Sequence, residues 1–205
     1  MSDARDDIME ATYRALCTHG YADLTMQDIA DEAELSKAAL HYHYDSKREL
    51  LESFLEFLYD RFTERVSDPA GETAPERLRA LVDAVLYPPV EDDDERVAFK
   101  TALLELKAQG PYDDGIRDRL QQFGEFLRGE VRAVIDDGIE AGTIDSEIDP
   151  DDAARFLVTA LDGASTKQVA VGQDPDCASR MLTAYIEGTL TVDGPDREPQ
   201  EVGPE

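Results

Sequence analysis

The sequence predicts an all-α protein of about nine helices. Apolar residues recur three and four positions apart along almost the whole chain of 205 residues, which is the spacing of amphipathic helices. No segment alternates between apolar and polar residues over the length of a strand. Helix start signals (Ser, Thr or Asp) and stop signals (Gly or Pro) divide the chain into segments of helical length. A sheet-based fold is therefore excluded.

The first three helices are defined by their end signals. Helix one is expected at residues 3–19, ending at Gly20, a residue suited to the left-handed conformation that follows a helix. Thr25 is the expected N-cap of the second helix, and Ser36 that of the third. Residues 34–36 separate these two helices. Two short helices across a three-residue break have the geometry of a helix-turn-helix.

The rest of the chain predicts a helical bundle. Ser46 caps a fourth helix that reaches about Val66, with Glu49 at the third position of a capping box. The composition of residues 67–74 is that of a linker. Five further helices are expected at residues 75–86, 96–109, 113–141, 150–171 and 175–190. We therefore expect a helix-turn-helix domain over residues 1–48, a second helical domain over residues 49–190 and a disordered tail over residues 191–205.

The chain carries a strong negative charge. Its 47 acidic side chains against 20 basic ones give a formal net charge of -27 and a pI of about 4.2. This balance excludes binding to nucleic acid by bulk electrostatic attraction. The composition resembles that of halophilic proteins, because at ~1 M salt the Debye length falls to ~3 Å and the repulsion between surface charges is largely screened. We therefore expect a protein adapted to a salt-rich cytoplasm.

Targeting, metal and redox signals are missing from the sequence. No apolar run approaches the ~18 residues of a membrane span, and the N-terminus lacks the basic and apolar segments of a signal peptide. Cys17 and Cys177 lie near opposite ends of the chain, in no spacing typical of a zinc site or a disulfide framework. The sequence therefore predicts a cytoplasmic protein with no metal site and no cofactor.

The third helix has the composition of a helix that reads DNA. Leu40 is its one long apolar side chain and is expected to anchor the helix in the core. The other face presents small or polar side chains, namely Lys37, Ala38, Ala39, His41 and Tyr42. Small residues let the backbone approach the base edges, and an alanine methyl group can contact the methyl group of thymine. The pattern favours sequence-specific binding in the major groove.

Residues 8–58 closely resemble the DNA-binding domain of the TetR/AcrR family of transcriptional regulators. The resemblance rests on four segments: Gly20-x-x-x-x-Thr25, Asp28-Ile29-Ala30, the recognition helix 37–43, and Ser46-Lys47-x-x-Leu50-Leu51 at the start of the fourth helix. The C-terminal region is similar in architecture and in the segment 142–163. The fold implied is a three-helix DNA-binding domain followed by a helical bundle for ligand binding and dimerisation.

The resemblance also implies a role for each residue of the motif. Thr25 and Lys47 would hold phosphates, and Thr25 would do so together with the N-terminus of its helix. The expected DNA-facing set is completed by Gln27, Ser36, Lys37, Ala38, Ala39, His41 and Tyr42. Tyr44 is expected in the core. Glu34 stands in the turn where Gly is usual, at a cost of about 1 kcal/mol if its φ is positive.

The helix-turn-helix region is itself acidic. Residues 1–48 contain five basic and ten acidic side chains, whereas a DNA-binding domain is usually basic. In molar salt, counterion release contributes little to affinity. Base contacts and shape must then supply more of the binding energy, and we expect the DNA affinity to depend only weakly on salt.

Catalytic patterns are absent from the second half of the chain. All three His residues lie within the first 43 positions, which excludes the Glu-x-x-His pairs of a di-iron bundle and His-based acid–base chemistry in the later helices. No Gly-rich phosphate loop is present, and the acidic stretch 145–152 lacks the central Gly of a calcium loop. The sequence therefore does not predict an enzyme.

By the same resemblance, helices four to eight would enclose a small-molecule cavity. The candidate lining residues are Tyr59, Phe62, Phe99, Lys100, Leu103, Phe123, Phe126 and Leu127. A stripe of this kind also suits an ordinary core, and both interpretations stay open. Lys100 and Lys107 share one face of helix six. They would meet an anionic ligand or, in the interpretation we favour, form a solvated and ion-paired face.

Helices eight and nine carry many small residues, which favour close helix approach. The resemblance implies a two-fold four-helix dimer interface there, with Leu161, Ala164, Met181, Leu182 and Tyr185 as candidates. A two-fold dimer would read a palindromic operator. The leading hypothesis is a dimeric repressor that a small molecule releases from double-stranded DNA. A DNA-binding regulator that responds to salt or to a protein partner, and a helical enzyme or carrier, are the alternatives.

Overall fold

The computed structural model describes residues 4–88 and 93–192, without the side chains of residues 93–96. Nine α-helices lie within these ranges: α1 Ala4–Asp23, α2 Met26–Glu32, α3 Lys37–His43, α4 Lys47–Val66, α5 Ala74–Leu86, α6 Asp93–Lys107, α7 Asp114–Glu140, α8 Pro150–Val171 and α9 Asp176–Tyr185. A π-helical turn, Ile186–Leu190, follows α9 directly. The described part contains no strand, so the all-α prediction is confirmed.

One hydrophobic core holds the first three helices against the rest of the molecule. Buried side chains of α1, α2 and α3 pack with the first half of α4, and the end of α6 and the start of α7 contribute Leu106 and Ile116. The largest apolar side chains of this core include Ile8, Ile29, Leu40, Leu50, Phe54 and Leu106. The helix-turn-helix is therefore seated on α4, α6 and α7.

A second core lies in the C-terminal bundle. It is built from the end of α4 and from α5, α7, α8, α9 and the π-helical turn, with Leu78, Leu81, Val131, Leu157 and Ile186 among its buried side chains. Helix α4 belongs to both cores, because Leu50 and Phe54 lie in the first and Val66 in the second. This helix is thus a continuous link between the two parts of the chain.

Three helix ends differ from the sequence prediction by three residues or more. Helix α1 resumes after a break at Gly20 (φ 69°, ψ 170°) and continues to Asp23. Helix α6 starts at Asp93, three residues before the predicted start, because acidic residues favour the first turn of a helix. Helix α9 stops at Tyr185 and widens into the π-helical turn.

The predicted tail begins in an ordered position. Thr191 forms an isolated antiparallel bridge with Ile144, and the Asp145 N–H donates to the Leu190 carbonyl (2.8 Å). The expectation of disorder was therefore wrong for Thr191, because these backbone contacts fix it to the turn after α7. Residues 193–205 of the predicted tail lie outside the described residues.

No helix in the described ranges is long and apolar enough to cross a membrane. Among the side chains that the structure describes, no three or more His, Cys, Asp or Glu residues come together as a set that could hold a metal ion.

Candidate DNA-binding site

The N-terminus of α2 is closed by a reciprocal capping box. The Thr25 hydroxyl accepts a hydrogen bond from the Asp28 N–H (3.2 Å), and the Asp28 carboxylate accepts from the Thr25 N–H (2.8 Å) and hydroxyl (2.7 Å). These bonds lower the pKa of the Asp28 carboxyl. The predicted N-cap is confirmed. A phosphate at this helix end would share it with the Asp28 carboxylate.

The turn between α2 and α3 has the backbone conformation that usually requires Gly. Glu34 has φ 54°, and the Leu35 N–H donates to the Ala30 carbonyl (2.8 Å) across the turn. The suspected positive φ is confirmed, at a cost of about 1 kcal/mol for a non-Gly residue.

Helix α3 is anchored on one side and exposed on the other. The Ser36 hydroxyl accepts from the Ala39 N–H (3.1 Å), and Leu40 is completely buried. Ala39 is partly buried, whereas the other predicted base-facing side chains are exposed: Lys37, Ala38, His41 and Tyr42. Tyr42 is the most exposed of the large side chains here, at 87%. A rigid helix thus presents this row to the outside.

Two other side chains of the motif lie outside the exposed row of α3. Gln27 donates from Nε2 to the Asp31 carboxylate (2.7 Å) along α2, so a base contact by Gln27 requires a change of partner. Tyr44 is buried at 7% exposure, which confirms its predicted place in the core.

Lys47 is held by the protein at the start of α4. Its Nζ donates to the Tyr21 carbonyl (2.6 Å) and lies 4.6 Å from the centroid of the Tyr21 ring. Partial burial lowers the pKa of Lys47. The ammonium group therefore has a protein partner at the position where the resemblance implies a phosphate.

The same peptide segment is held from the other side by α6. The Glu105 carboxylate accepts a hydrogen bond from the Tyr21 N–H. A Cβ atom added at Gly20 would lie 2.9 Å from Glu105 Oε2 and would displace this carboxylate, and the backbone of Gly20 (φ 69°) itself favours Gly. We call Tyr21, Lys47 and Glu105 the Tyr21 clamp. It joins α1, α4 and α6 beside the helix-turn-helix.

A second polar contact lies next to the clamp. Arg48 donates to Glu52 (2.9 Å) and lies 3.0 Å from the carboxylate of Asp113, the N-cap of α7. Its neighbour Lys47 is occupied by Tyr21. Both cations at the start of α4 are therefore engaged within the chain.

Comparison with known families decides the identity of this arrangement. Residues 8–54 match the family described as bacterial regulatory proteins, tetR family. Residues 74–191, more than half of the chain, match the C-terminal domain of BetI-type transcriptional repressors. The chain belongs to the TetR family.

Individual transcription regulators are similar to this chain over most of their length. A TetR transcription regulator from Haloarcula marismortui superposes with a TM-score of 0.84 at 39% identity, covering 93% of this chain and 100% of the other. A regulator from Saccharomonospora viridis, solved in complex with choline, has a TM-score of 0.75 at 26% identity, covering 93% and 99%. The repressor KstR2 of Mycobacterium tuberculosis is 28% identical over 161 residues, 77% of each chain.

These relatives fix the class of protein. The matched families and repressors are transcription regulators, so this TetR-family chain is a DNA-binding regulator and not an enzyme, as the sequence predicted. The helical enzyme or carrier is thereby set aside.

The predicted ligand residues fall into separate places. Tyr59, Phe62, Phe123 and Phe126 form an aromatic cluster between α4 and α7, with ring centroids 5.3 to 5.9 Å apart. Phe99 lies apart from them, against Tyr13 of α1 (5.1 Å). Leu127 is buried in the C-terminal core, and Leu103 lines a small depression between α6 and α8. The fold thus brings the four aromatic residues together, and separately Leu103 and Lys100.

Lys100 and Lys107 line that depression of about 40 Å³ together with Ser165 and Thr166. Lys100 is buried and donates to the Leu86 carbonyl (2.8 Å) and to Gln168 Oε1 (2.6 Å). The favoured expectation of a solvated face was therefore wrong for Lys100, because its ammonium group reaches the last carbonyl of α5. Lys107 pairs with Asp162 of α8, as expected of an ion-paired face.

The predicted dimer residues are also divided. Leu161 and Leu182 are buried in the core of the chain itself, at 1% and 4% exposure, and Ala164 and Tyr185 pack against that core. Met181 is 66% exposed. Beside it, Phe156 is 50% exposed with its ring 4.8 Å from that of Tyr185. Phe156 was missed by the sequence analysis, although an aromatic residue on the outer face of a helix is a signal of an interface.

Proposed function

We propose that this regulator is a homodimeric repressor that places α3 of each subunit in the major groove of a palindromic operator. The observation that carries the proposal is the exposed row of α3, from Lys37 to Tyr42, on a helix fixed by Leu40 and by the Ser36 cap. A two-fold dimer matches a two-fold DNA site and presents two such helices at a fixed spacing.

Each side chain of the site has its own part in this proposal. Lys37, Ala38, Ala39 and His41 contact bases, and Tyr42 contacts the groove or a phosphate. Gln27 also contacts a base once its side-chain amide donates to that base and no longer to Asp31. Ser36 acts by fixing the start of α3, whereas Thr25 and Lys47 meet phosphates, and Lys47 does so by leaving the Tyr21 carbonyl.

Selection of binding sites from random duplex DNA in molar KCl tests the DNA-binding proposal. We expect a palindromic sequence, and we expect Tyr42→Ala and His41→Ala each to weaken its binding about 5- to 150-fold, as for a lost contact of ~1 to 3 kcal/mol. Tyr112→Ala is the matched control, because Tyr112 is equally exposed at 87% but lies after α6. Unchanged affinity of both α3 variants would contradict the proposal.

The dimer is supported by an apolar patch on α8 and α9. Phe156 and Met181 are exposed, Tyr185 is partly exposed, and a Cβ at Gly163 would meet no atom of this chain within 4 Å. Such a patch suits a second copy of the same chain. We place the centre of the dimer interface at this patch. Ala164 makes a smaller contact, and the buried side chains of Leu161 and Leu182 hold the two helices in position behind it.

Sedimentation in molar KCl measures the oligomeric state directly. We expect a dimer for the wild type and a monomer for Met181→Glu, because a carboxylate in an apolar interface would be desolvated without a partner. Val97→Glu is the control, since Val97 is 54% exposed on α6. A monomeric wild type would overturn the dimer.

Release by a small molecule is the second half of the proposal. It is supported by the aromatic cluster between α4 and α7, which offers a surface for an apolar or aromatic compound. Choline is the first compound to try, because a similar regulator was solved with choline bound. Release of labelled operator by a panel of compounds tests it.

A regulator without an inducer is the alternative. It is favoured by the close contacts within the aromatic cluster and by the small volume, about 40 Å³, of the depression between α6 and α8. Operator release by salt or by a protein partner, with no response to any compound of the panel, would establish this alternative.

A further inference from the structure

Arg65 is a cation in an unusual place. It lies in the last turn of α4 on the same apolar stripe as Phe62, and it is partly buried. Its Nε atom is buried and has no hydrogen-bond partner. A buried donor without a partner is uncommon in folded proteins and calls for an explanation.

The surroundings of Arg65 contrast with those of other arginines in the chain. Ten arginines form ion pairs with Asp or Glu: Arg5, Arg14, Arg48, Arg61, Arg77, Arg79, Arg117, Arg119, Arg132 and Arg155. Within the described residues, Arg65 has neither an ion pair nor a hydrogen bond. Although the chain is strongly acidic, none of its described acidic side chains pairs with this cation.

Burial without a partner is unfavourable for a charge. Desolvation lowers the pKa of Arg65, and no nearby acid opposes that effect. The contact that the structure gives the guanidinium is with the Phe62 ring, whose centroid is 5.5 Å from Cζ. An aromatic face attracts a cation but leaves its N–H donors unused.

Phe62 connects Arg65 to the aromatic cluster. Its ring lies 5.4 Å from that of Phe123, which in turn contacts Tyr59 at 5.3 Å. A cluster of tilted and edge-to-face aromatic rings therefore adjoins a cation with free donors. This pairing suits a compound with an aromatic or apolar body and an anionic head group, because guanidinium binds carboxylates and phosphates through two parallel hydrogen bonds.

We infer that Arg65 anchors the anionic head group of the regulator's small-molecule ligand, whose apolar body lies against the aromatic cluster. This inference rests on the proposed release by a ligand and names the chemical class of that ligand. The same positive charge disfavours a quaternary ammonium compound in this position. Arg65 thus selects oxyanions over choline-like cations.

Four probes of similar size test the inference on the full-length protein in molar KCl. Benzoate and phenyl phosphate carry the anionic head group, benzamide is the neutral counterpart of benzoate, and choline is the cation. By calorimetry we expect at least one anion to bind about tenfold or more tightly than benzamide and choline. The tighter of the two anions identifies the head group. Equal binding of benzamide and both anions, or binding of none of the probes, would overturn the inference.

Two substitutions on the same helix locate the site. Arg65→Met keeps the length of the side chain but removes the charge, and we expect it to abolish the preference for the anion. Arg61→Met is the matched control, because Arg61 lies one turn earlier, pairs with Glu10 and stacks on Phe57. Loss of the preference in both variants, or in neither, would contradict a site at Arg65.

Thermal unfolding separates this role from a purely structural one. Since Arg65 is an unpaired buried cation, Arg65→Met should melt at or above the wild-type temperature without a ligand. Without the anchor, the anion should no longer raise the melting temperature. A lower melting temperature of the unliganded variant, with anion binding retained, would assign Arg65 to the fold and overturn the inference.

Operator release distinguishes failure of this inference from failure of the proposed function. If choline or benzamide releases the operator equally from wild type and from Arg65→Met, then a ligand controls DNA binding but Arg65 does not anchor it. If benzoate binds wild type and not Arg65→Met, but releases no operator, then Arg65 binds the anion but the anion does not control DNA binding.

Discussion

At the scale of single residues, position and not residue type decides the part that several side chains play. Lys47 and Arg48 are adjacent cations at the start of α4, yet the first is held by the Tyr21 carbonyl and the second by Glu52 and Asp113. A phosphate that contacts either cation would therefore compete with these protein partners for its charge. The loss of these protein contacts lowers the affinity for DNA.

Gly20 is expected to be intolerant of a side chain for two reasons. Gly20→Ala introduces strain at φ 69° and displaces the Glu105 carboxylate from the Tyr21 N–H, so we expect a loss of about 2 kcal/mol in the free energy of unfolding. Gly172→Ala is the control for a positive φ without crowding: Gly172 has φ 65°, ψ 27° and open space around it, whereas Gly20, with ψ 170°, also lies in a backbone region that is essentially restricted to Gly. Gly172→Ala should cost only about 1 kcal/mol.

Denaturant unfolding of both variants, and of each combined with Glu105→Ala, measures the difference. If the Glu105 contact contributes to the extra cost at Gly20, the difference between the two glycine substitutions becomes smaller once Glu105 is absent. A difference that Glu105→Ala leaves unchanged would show that the close approach has no energetic weight.

At the scale of helices, the sequence predicted well which helices exist and which residues cap them. The predicted N-caps Thr25, Ser36 and Ser46 are confirmed, because each cap is a local hydrogen bond between residues three positions apart. The end of α9 was less predictable. The shift to a π-helical turn depends on the packing of Ile186 and Leu190 in the distant core.

Helix α7 offers opposite outcomes for the same substitution. A Cβ at Gly138 would lie 2.6 Å from Ala74 Cβ and 2.7 Å from Ile144 Cδ1, whereas one at Gly129 would meet nothing within 4 Å. We expect Gly138→Ala to destabilise by about 1 to 3 kcal/mol and Gly129→Ala to stabilise by roughly 0.5 to 1 kcal/mol. Denaturant unfolding measures both changes. If both substitutions changed the free energy of unfolding in the same direction, the contact with α5 would not constrain α7.

The capping box of α2 predicts a pH dependence. The folded-state pKa of Asp28 is lowered by its bonds to Thr25, so its stabilising effect is complete above the unfolded pKa and is lost as the pH falls through the folded value. The difference in unfolding free energy between wild type and Asp28→Ala should therefore shrink from pH 7 towards pH 3. A constant difference across this range would contradict a role for the ionised carboxylate.

At the scale of the whole molecule, charge dominates. A net charge of -27 on 205 residues opposes the compact state at low ionic strength. The melting temperature should therefore rise from dilute buffer to molar KCl, as scanning calorimetry would show. Maximal stability at low salt would contradict adaptation to a salt-rich interior.

Unlike stability, the affinity for DNA should depend little on the salt concentration. The cations at the start of α4 are engaged within the chain, and Asp28 lies at the N-terminus of α2. Few phosphates are then neutralised, so the logarithm of the affinity should change little with the logarithm of the salt concentration. A slope as steep as that of a protein neutralising about eight phosphates would contradict this picture.

The sequence by itself determined the helical fold and the helix-turn-helix with its caps, and its resemblance to the TetR/AcrR family indicated the class of regulator and the turn position at which Glu34 replaces Gly. The fold and the caps depend on hydrogen bonds and apolar spacing within short segments, which a local pattern records. Only the tertiary structure decided that Glu105 and Lys47 hold the peptide of Tyr21, that Lys100 is buried, and that Arg65 is left without a partner. These contacts join residues far apart in the chain, and no local pattern specifies which distant side chain fills a given space.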